Sequence, residues 1–293
     1  MGEKKMRSVK IFADSTSDLT PEILAAYDIG IVPLYVSFDT ATYRDGLDLD
    51  TRQLYDLVEK TGRLPKTAAP SPADFSAAFA PHIAAGQDIV YIGISTELSS
   101  TCHNALLAAT EFPPGRVEVV DSRNLSSGIG LLVLQACDLA RQGRSSGEIA
   151  AAVRALVPKV RTSFVIDTLD YLYMGGRCTA LQSILGSLLR IRPVIKVIDG
   201  KMLPAQKLRG PRQNALRSIL EETLQDQANI APGRMMVTHS LGQEDAEYLQ
   251  AELAKALPSN EIIITKAGCV ISSHCGPRTV GILYLRKQAL RPE

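Results

Sequence analysis

From residue 9 to residue 157 the chain alternates short apolar runs with helix-forming stretches, and few folds accommodate that alternation. Residues 9–14, 30–38, 88–95 and 116–121 read as strands. The run at 88–95 is continuously apolar, as expected of a strand covered on both faces. Between these runs lie helix starts with definite chemistry. Thr20 precedes Pro21, Asp50 stands three before Gln53, Ser71 precedes Pro72, and Ser145 stands three before Glu148. Each pattern supplies a side-chain cap or a proline at the first helical position. Strands separated by helices predict an α/β fold with a mostly parallel, doubly wound sheet.

The second half has a different rhythm. Strands are expected at 163–167, 194–198, 201–208, 234–239, 261–266 and 281–286, and helices at 169–174, 180–190, 211–228 and 243–257. Asp199-Gly200 between two apolar runs is a strong two-residue hairpin signal. The expected organisation is therefore two α/β domains, residues 1–158 and 159–293, the second carrying a hairpin. Ligands of such sheets sit beyond the carboxyl ends of the strands.

Composition narrows the function. Of 293 residues 45% are hydrophobic, enough for a large core, and the net charge of +1 leaves no electrostatic footprint for nucleic acid. The most apolar run, residues 128–137, is too short to span a bilayer. The first residues turn charged too soon for a signal-peptide core. Five cysteines without a CxxC pair fit reduced thiols, not a disulfide framework or a zinc site. A cytoplasmic protein without stable membrane insertion is expected.

Several strand ends carry hydroxyl or acidic residues: Asp14-Ser15-Thr16-Ser17-Asp18, Ser95-Thr96, Ser99-Ser100-Thr101, Asp121-Ser122 and Ser126-Ser127. Together they could form a rim suited to an anion, whereas singly each Ser or Thr reads as a helix cap. Gly93-Ile94-Ser95-Thr96-Glu97 lacks the second glycine of a nucleophile elbow. Ser99 and His103, four apart, could share a helix face and keep an α/β serine hydrolase acting on a lipid ester open as an alternative. Gly128-Ile129-Gly130 lacks the third glycine of a dinucleotide fingerprint, with Val133 at that place, and no Walker loop is present. His274-Cys275-Gly276-Pro277 is expected in a loop before the last strand, where the imidazole could donate to an anion.

Taken in order, these segments resemble the DegV family of bacterial fatty-acid-binding proteins over nearly the whole chain. The resemblance rests on Asp14-Ser15-Thr16-Ser17-Asp18-Leu19, Pro65-Lys66-Thr67 with Pro70-Ser71-Pro72, and Ile94-Ser95-Thr96-Glu97-Leu98-Ser99. It continues through Val120-Asp121-Ser122, Gly175-Gly176-Arg177, Arg192-Pro193-Val194-Ile195 and His274-Cys275-Gly276-Pro277. It implies a long-chain fatty acid held between two domains, with no cofactor and no catalysis by the chain itself. It implies that Thr67, Ser95 or Thr96, and His274 meet the carboxylate, and that Arg209 and Arg177 handle the head group or dock a partner. The implied partner is a separate fatty acid kinase that phosphorylates the carried acid to an acyl phosphate, and a monomer is expected because that partner is heterologous.

The chain departs from the family pattern at Ala68-Ala69, where Ser-Gln is usual, at Ser100 and Cys102-His103, where Gly and Tyr-Gln are usual, and at Arg278, where a glycine is usual. Residues 181–189 and 191–198 are apolar enough to line a tunnel or to be ordinary core. Each buried methylene contributes about 0.8 kcal/mol, so a ~16-carbon tail supplies on the order of 10 kcal/mol before ordering costs.

Overall fold

The computed structural model describes residues 7–39, 41–178 and 191–289. The helix expected at 180–190 and the tunnel lining expected at 181–189 lie outside the described residues.

Four parallel strands, β1 (Val9–Asp14), β2 (Gly30–Val32), β6 (Asp88–Gly93) and β7 (Val117–Asp121), make the first sheet in the order β2-β1-β6-β7. Helices cover both faces. On one, α3 (Pro72–Ala84) and α4 (Thr101–Ala109) bury Phe75, Phe79, Cys102 and Ala105 against Phe12 and Tyr91. On the other lie α1 (Pro21–Ala26), α5 (Ser127–Arg141) and α6 (Ser146–Leu156). The expected caps form: Thr20 accepts from Ile23 N–H, and Asp50, Ser71 and Ser145 make capping boxes with Gln53, Asp74 and Glu148. This is the doubly wound α/β arrangement read from the sequence.

The second sheet is mixed, in the order β10-β9-β8-β13-β11-β12. Its strands are β8 (Val160–Val165), β9 (Ile191–Ile198), β10 (Lys201–Arg209), β11 (Gly233–Ser240), β12 (Asn260–Lys266) and β13 (Thr279–Leu285). Only β11 and β12 run parallel; the remaining pairs are antiparallel. Asp199 and Gly200 both take positive φ, 48° and 83°, at the hairpin between β9 and β10. That conformation is the one the Asp-Gly pair favours. One face of this sheet packs on α8 (Arg212–Gln225) and α9 (Gln243–Ala256) through Val165, Leu216, Val237 and Leu249.

The other face meets α5. That helix is apolar all round, with Ile129, Leu131, Leu132, Val133 and Leu134 buried, because a sheet lies on each side of it. The most apolar run of the sequence is thus the shared wall between the two sheets. A leucine-to-alanine change in it costs about 2–5 kcal/mol. Residue 158 lies in the 3-10 turn Val157–Lys159 that leads from α6 into β8.

Two sequence expectations need correction. Residues 30–38 form not one strand but two, interrupted at Pro33. The second, β3 (Tyr35–Phe38), joins β4 (Ala41–Arg44) and β5 (Lys66–Ala68) in a small antiparallel sheet. β4 and β5 carry no apolar run because both are edge strands with exposed residues, so periodicity does not reveal them. His274 does not stand in a loop. It sits in the last turn of α10 (Cys269–Cys275), which Gly276 terminates at φ 79°. Cys269 and Val270 of α10 pack on Leu34, Val36 and Leu54 beneath the small sheet, together with α2 (Thr51–Thr61).

Candidate functional site

A cavity of about 300 Å³ opens where the small sheet, the carboxyl end of the first sheet, the inner face of the second sheet and α10 come together. This lies at the lower end of the range of roughly 300–1,000 Å³ typical of ligand pockets. Its apolar walls include Ile94, Leu98, Leu125, Phe164, Met202 and Leu283.

The sequence-selected residues divide. Thr67 on β5 and His274 on α10 are 207 positions apart yet meet on the cavity wall, with Oγ1 and Nε2 2.8 Å apart. β5 holds Thr67 through its pairing with Val36. Gly175, in α7 (Asp170–Gly175), makes room for the ring: a Cβ there would lie 2.4 Å from His274 Nδ1. Arg177 also lines the cavity, exposed, with Nη1 donating to Gly175 O at 2.7 Å.

Ser95, Thr96 and Arg209 lie off the cavity lining. Ser95 is fully buried under the hairpin tip, where a Cβ on Gly200 would come within 2.4 Å of its Oγ. Its hydroxyl accepts from Glu97 N–H at 3.2 Å. Thr96 is exposed and donates to Asp121 at 2.6 Å, and Arg209 is exposed at the end of β10. Seven further hydroxyl residues line the cavity: Ser99, Ser100 and Ser126, which belong to the strand-end hydroxyls of the possible anion rim, and Thr162, Thr238, Ser240 and Thr279, which the sequence does not single out. Ser99 and Ser100 precede α4, whose N-cap makes no side-chain hydrogen bond. Their signal was the position just after a strand end. Of residues 191–198, Ile195 and Val197 pack in the core, and Arg192 pairs with Asp167.

The serine hydrolase reading is not favoured by this geometry. Ser99 pairs with Thr101 at 2.8 Å, and His103 is exposed. Gly128 and Gly130 have packing roles. A Cβ on Gly128 would lie 2.3 Å from Asn124 Oδ1, and one on Gly130 would lie 3.0 Å from Ser17 O. The first strand end is no anion rim either, because its acids point inward. Asp14 accepts from Tyr91 and from Ile94 N–H at 2.7 and 2.9 Å, and Asp18 accepts from Gly268 N–H at 2.8 Å. Arg278 adopts φ 60°, a left-handed conformation that favours glycine, and its side chain reaches toward Asp167, off the cavity lining.

Burial sets the electrostatics. Desolvation raises Asp14, Asp18 and Asp45 above the ordinary carboxylate value, Asp18 well above it. Desolvation, with the Arg177 charge second, lowers His274 to about 4, so its ring is neutral at physiological pH. Burial pushes the neighbouring Cys275 thiol up to about 12. Among the described residues no helix is long and apolar enough to cross a membrane. None of their His, Cys, Asp and Glu side chains cluster to hold a metal ion.

Comparison with known proteins agrees with this architecture. The family model described as "Uncharacterised protein, DegV family" matches residues 8–287. A DegV domain-containing protein of Deinococcus radiodurans is 37% identical over 276 residues, covering 94% of this chain and 97% of that one. Among solved structures, a DegV family protein from Thermus thermophilus, described by its fatty acid binding, superposes with a TM-score of 0.89 at 32% identity, covering 95% of this chain and 99% of the other. A stearic acid-binding protein from Eubacterium ventriosum superposes with a TM-score of 0.85 at 27% identity, covering 95% and 98%. The chain belongs to the DegV family.

Proposed function

We propose that the cavity takes a long-chain fatty acid, its carboxyl end at the Thr67–His274 pair and its chain along Ile94, Phe164 and Leu283. The observation that carries this reading is one apolar cavity with a hydrogen-bonded Thr–His pair in its wall. The Thermus and Eubacterium relatives, described as binding a fatty acid and stearic acid, support it. The tail supplies most of the affinity, and the polar pair orients the head group.

The protein is then a cytoplasmic, monomeric carrier, with the lipid between two units that part near residue 158. It performs no bond chemistry and presents the carboxyl group to a separate fatty acid kinase. Arg177, exposed at the cavity wall, and Arg209, exposed on β10, are the cations offered to that partner. Ser99 and Ser100 stand in for Ser95 and Thr96 as hydroxyls beside the head group, since they share the cavity with Thr67. The test is displacement of a fluorescent fatty acid from delipidated protein. Palmitate or oleate should displace it at near one-to-one stoichiometry. No displacement by either acid refutes the reading.

A further inference from the structure

Resting on the fatty-acid reading, we propose that the cavity binds its ligand as the neutral, protonated acid, so that loading takes up one proton and release returns it. The wall explains why. The cavity lining holds one formally charged side chain among the described residues, Arg177. It is exposed, so solvent screens it, and it is partly engaged by Gly175 O. Directly behind the lining stand three buried carboxyl groups, Asp14, Asp18 and Asp45, at 0%, 5% and 2% exposure.

Each is bonded to the lining or to a residue beside it. Asp14 accepts from the N–H of Ile94, and Asp18 accepts from the Ser126 hydroxyl at 2.5 Å. Asp45 accepts from the N–H of Cys269, next to Val270, at 2.6 Å. Asp18 and Asp45 converge on Gly268, where a Cβ would meet Oδ atoms of both within 3.4 Å. No ion pair reaches any of the three among the described residues. An ionised head group at Thr67–His274 would lie in an apolar cavity with the exposed Arg177 as the charged side chain of its lining, and with Asp18 near enough to raise the neighbouring Cys275 thiol. Desolvation favours its protonated form, as it does for the three buried carboxyl groups themselves.

The other titratable groups facing the corner do not offset this. His274 and His239 are both held neutral by burial, and the Cys275 thiol is pushed up to about 12. The Tyr55 phenol is raised by burial too, and donates to Ser240 or Ser272. The hydrogen bonds suit a neutral acid. Among the described residues His274 Nδ1 is buried without a hydrogen-bond partner, against Gly175. Placing the ring proton on Nε2 leaves a lone pair there, which is less costly than an orphaned N–H. His274 then donates to Thr67 Oγ1, and the Thr67 hydroxyl donates to the carbonyl oxygen of the acid. Ser99 and Ser100 offer oxygens to accept its O–H.

The test uses the full chain, delipidated and loaded with palmitic acid carrying carbon-13 at its carboxyl. The carboxyl resonance is followed from about pH 5 to about pH 9. Its midpoint should lie at least about two pH units above that of an aqueous carboxylic acid. Between those two values the apparent affinity should fall about tenfold per pH unit, because only the bound acid holds the proton. A midpoint at or below the aqueous value, rising on Arg177→Gln, would identify Arg177 as the counter-ion of a bound carboxylate and overturn the proposal. Protein that takes up no acid at any pH instead defeats the fatty-acid reading, and the proposal with it.

Discussion

Thr67→Val removes one oxygen and keeps the volume of the side chain, which makes it a clean probe of the polar pair. In the native site the Thr67 hydroxyl lies 2.8 Å from His274 Nε2 and faces the cavity. With valine there, the imidazole loses its partner and the ligand loses a donor. A neutral hydrogen bond contributes about 0.5–1.5 kcal/mol net, and leaving a buried group unpaired costs about 1–3 kcal/mol. The unpaired imidazole destabilises both the empty and the loaded protein, so it cancels from the affinity. The lost donor does not cancel, and at the upper end it weakens binding by roughly tenfold. The tail, at on the order of 10 kcal/mol, is untouched, so binding persists. The assay is competition between palmitate and a fluorescent fatty acid, with chemical denaturation alongside. Affinity within about twofold of the native protein, or weakened beyond about a thousandfold with the fold intact, would refute this division between head and tail.

Gly175→Ala places a methyl 2.4 Å from His274 Nδ1 and should push the ring off Thr67; palmitate affinity should fall as far as in His274→Ala, and native affinity would contradict the packing argument. Burial holds His274 at about 4 against 6.5 in the unfolded chain, so the unfolded chain takes the proton first as pH falls. The stabilisation from a neutral His274 is complete above about pH 6.5 and is lost toward pH 4, on the order of 3 kcal/mol in all. Denaturation of the native protein and His274→Gln at several pH values should show the difference confined to that window. Asp18 has the opposite sign, since its folded value is raised and its stabilising effect falls with rising pH. Asp18→Asn keeps an acceptor for Gly268 N–H, so it should be neutral or stabilising at pH 8, and a loss there of several kcal/mol would contradict the assignment of burial as the dominant cause.

The legible parts of the fold were those with strong local chemistry. The capping pairs at Thr20, Asp50, Ser71 and Ser145 placed helices, and Asp199-Gly200 placed the hairpin, because each depends on neighbours three or four residues away at most. β4 and β5 were not legible, since edge strands of a three-stranded sheet bury little and show no period. α10 was missed because seven residues of mixed Cys, Val, Ile and Ser begin at a glycine with no side-chain cap. Thr67 and His274 stand out through family resemblance; nothing local brings residues 207 apart together, and the packing of α10 under the small sheet does so. Ser95 and Thr96 were plausible as strand-end hydroxyls. The hairpin tip that covers Ser95 comes from a segment a hundred residues later, which no local pattern announces.

The most direct measurement is native mass spectrometry of the purified protein, followed by denaturation and identification of what is released. The account predicts one equivalent of an acid of roughly 16–18 carbons, consistent with a tail worth about 0.8 kcal/mol per methylene. Protein that is purified empty, and stays empty after incubation with palmitate and with oleate, would contradict it.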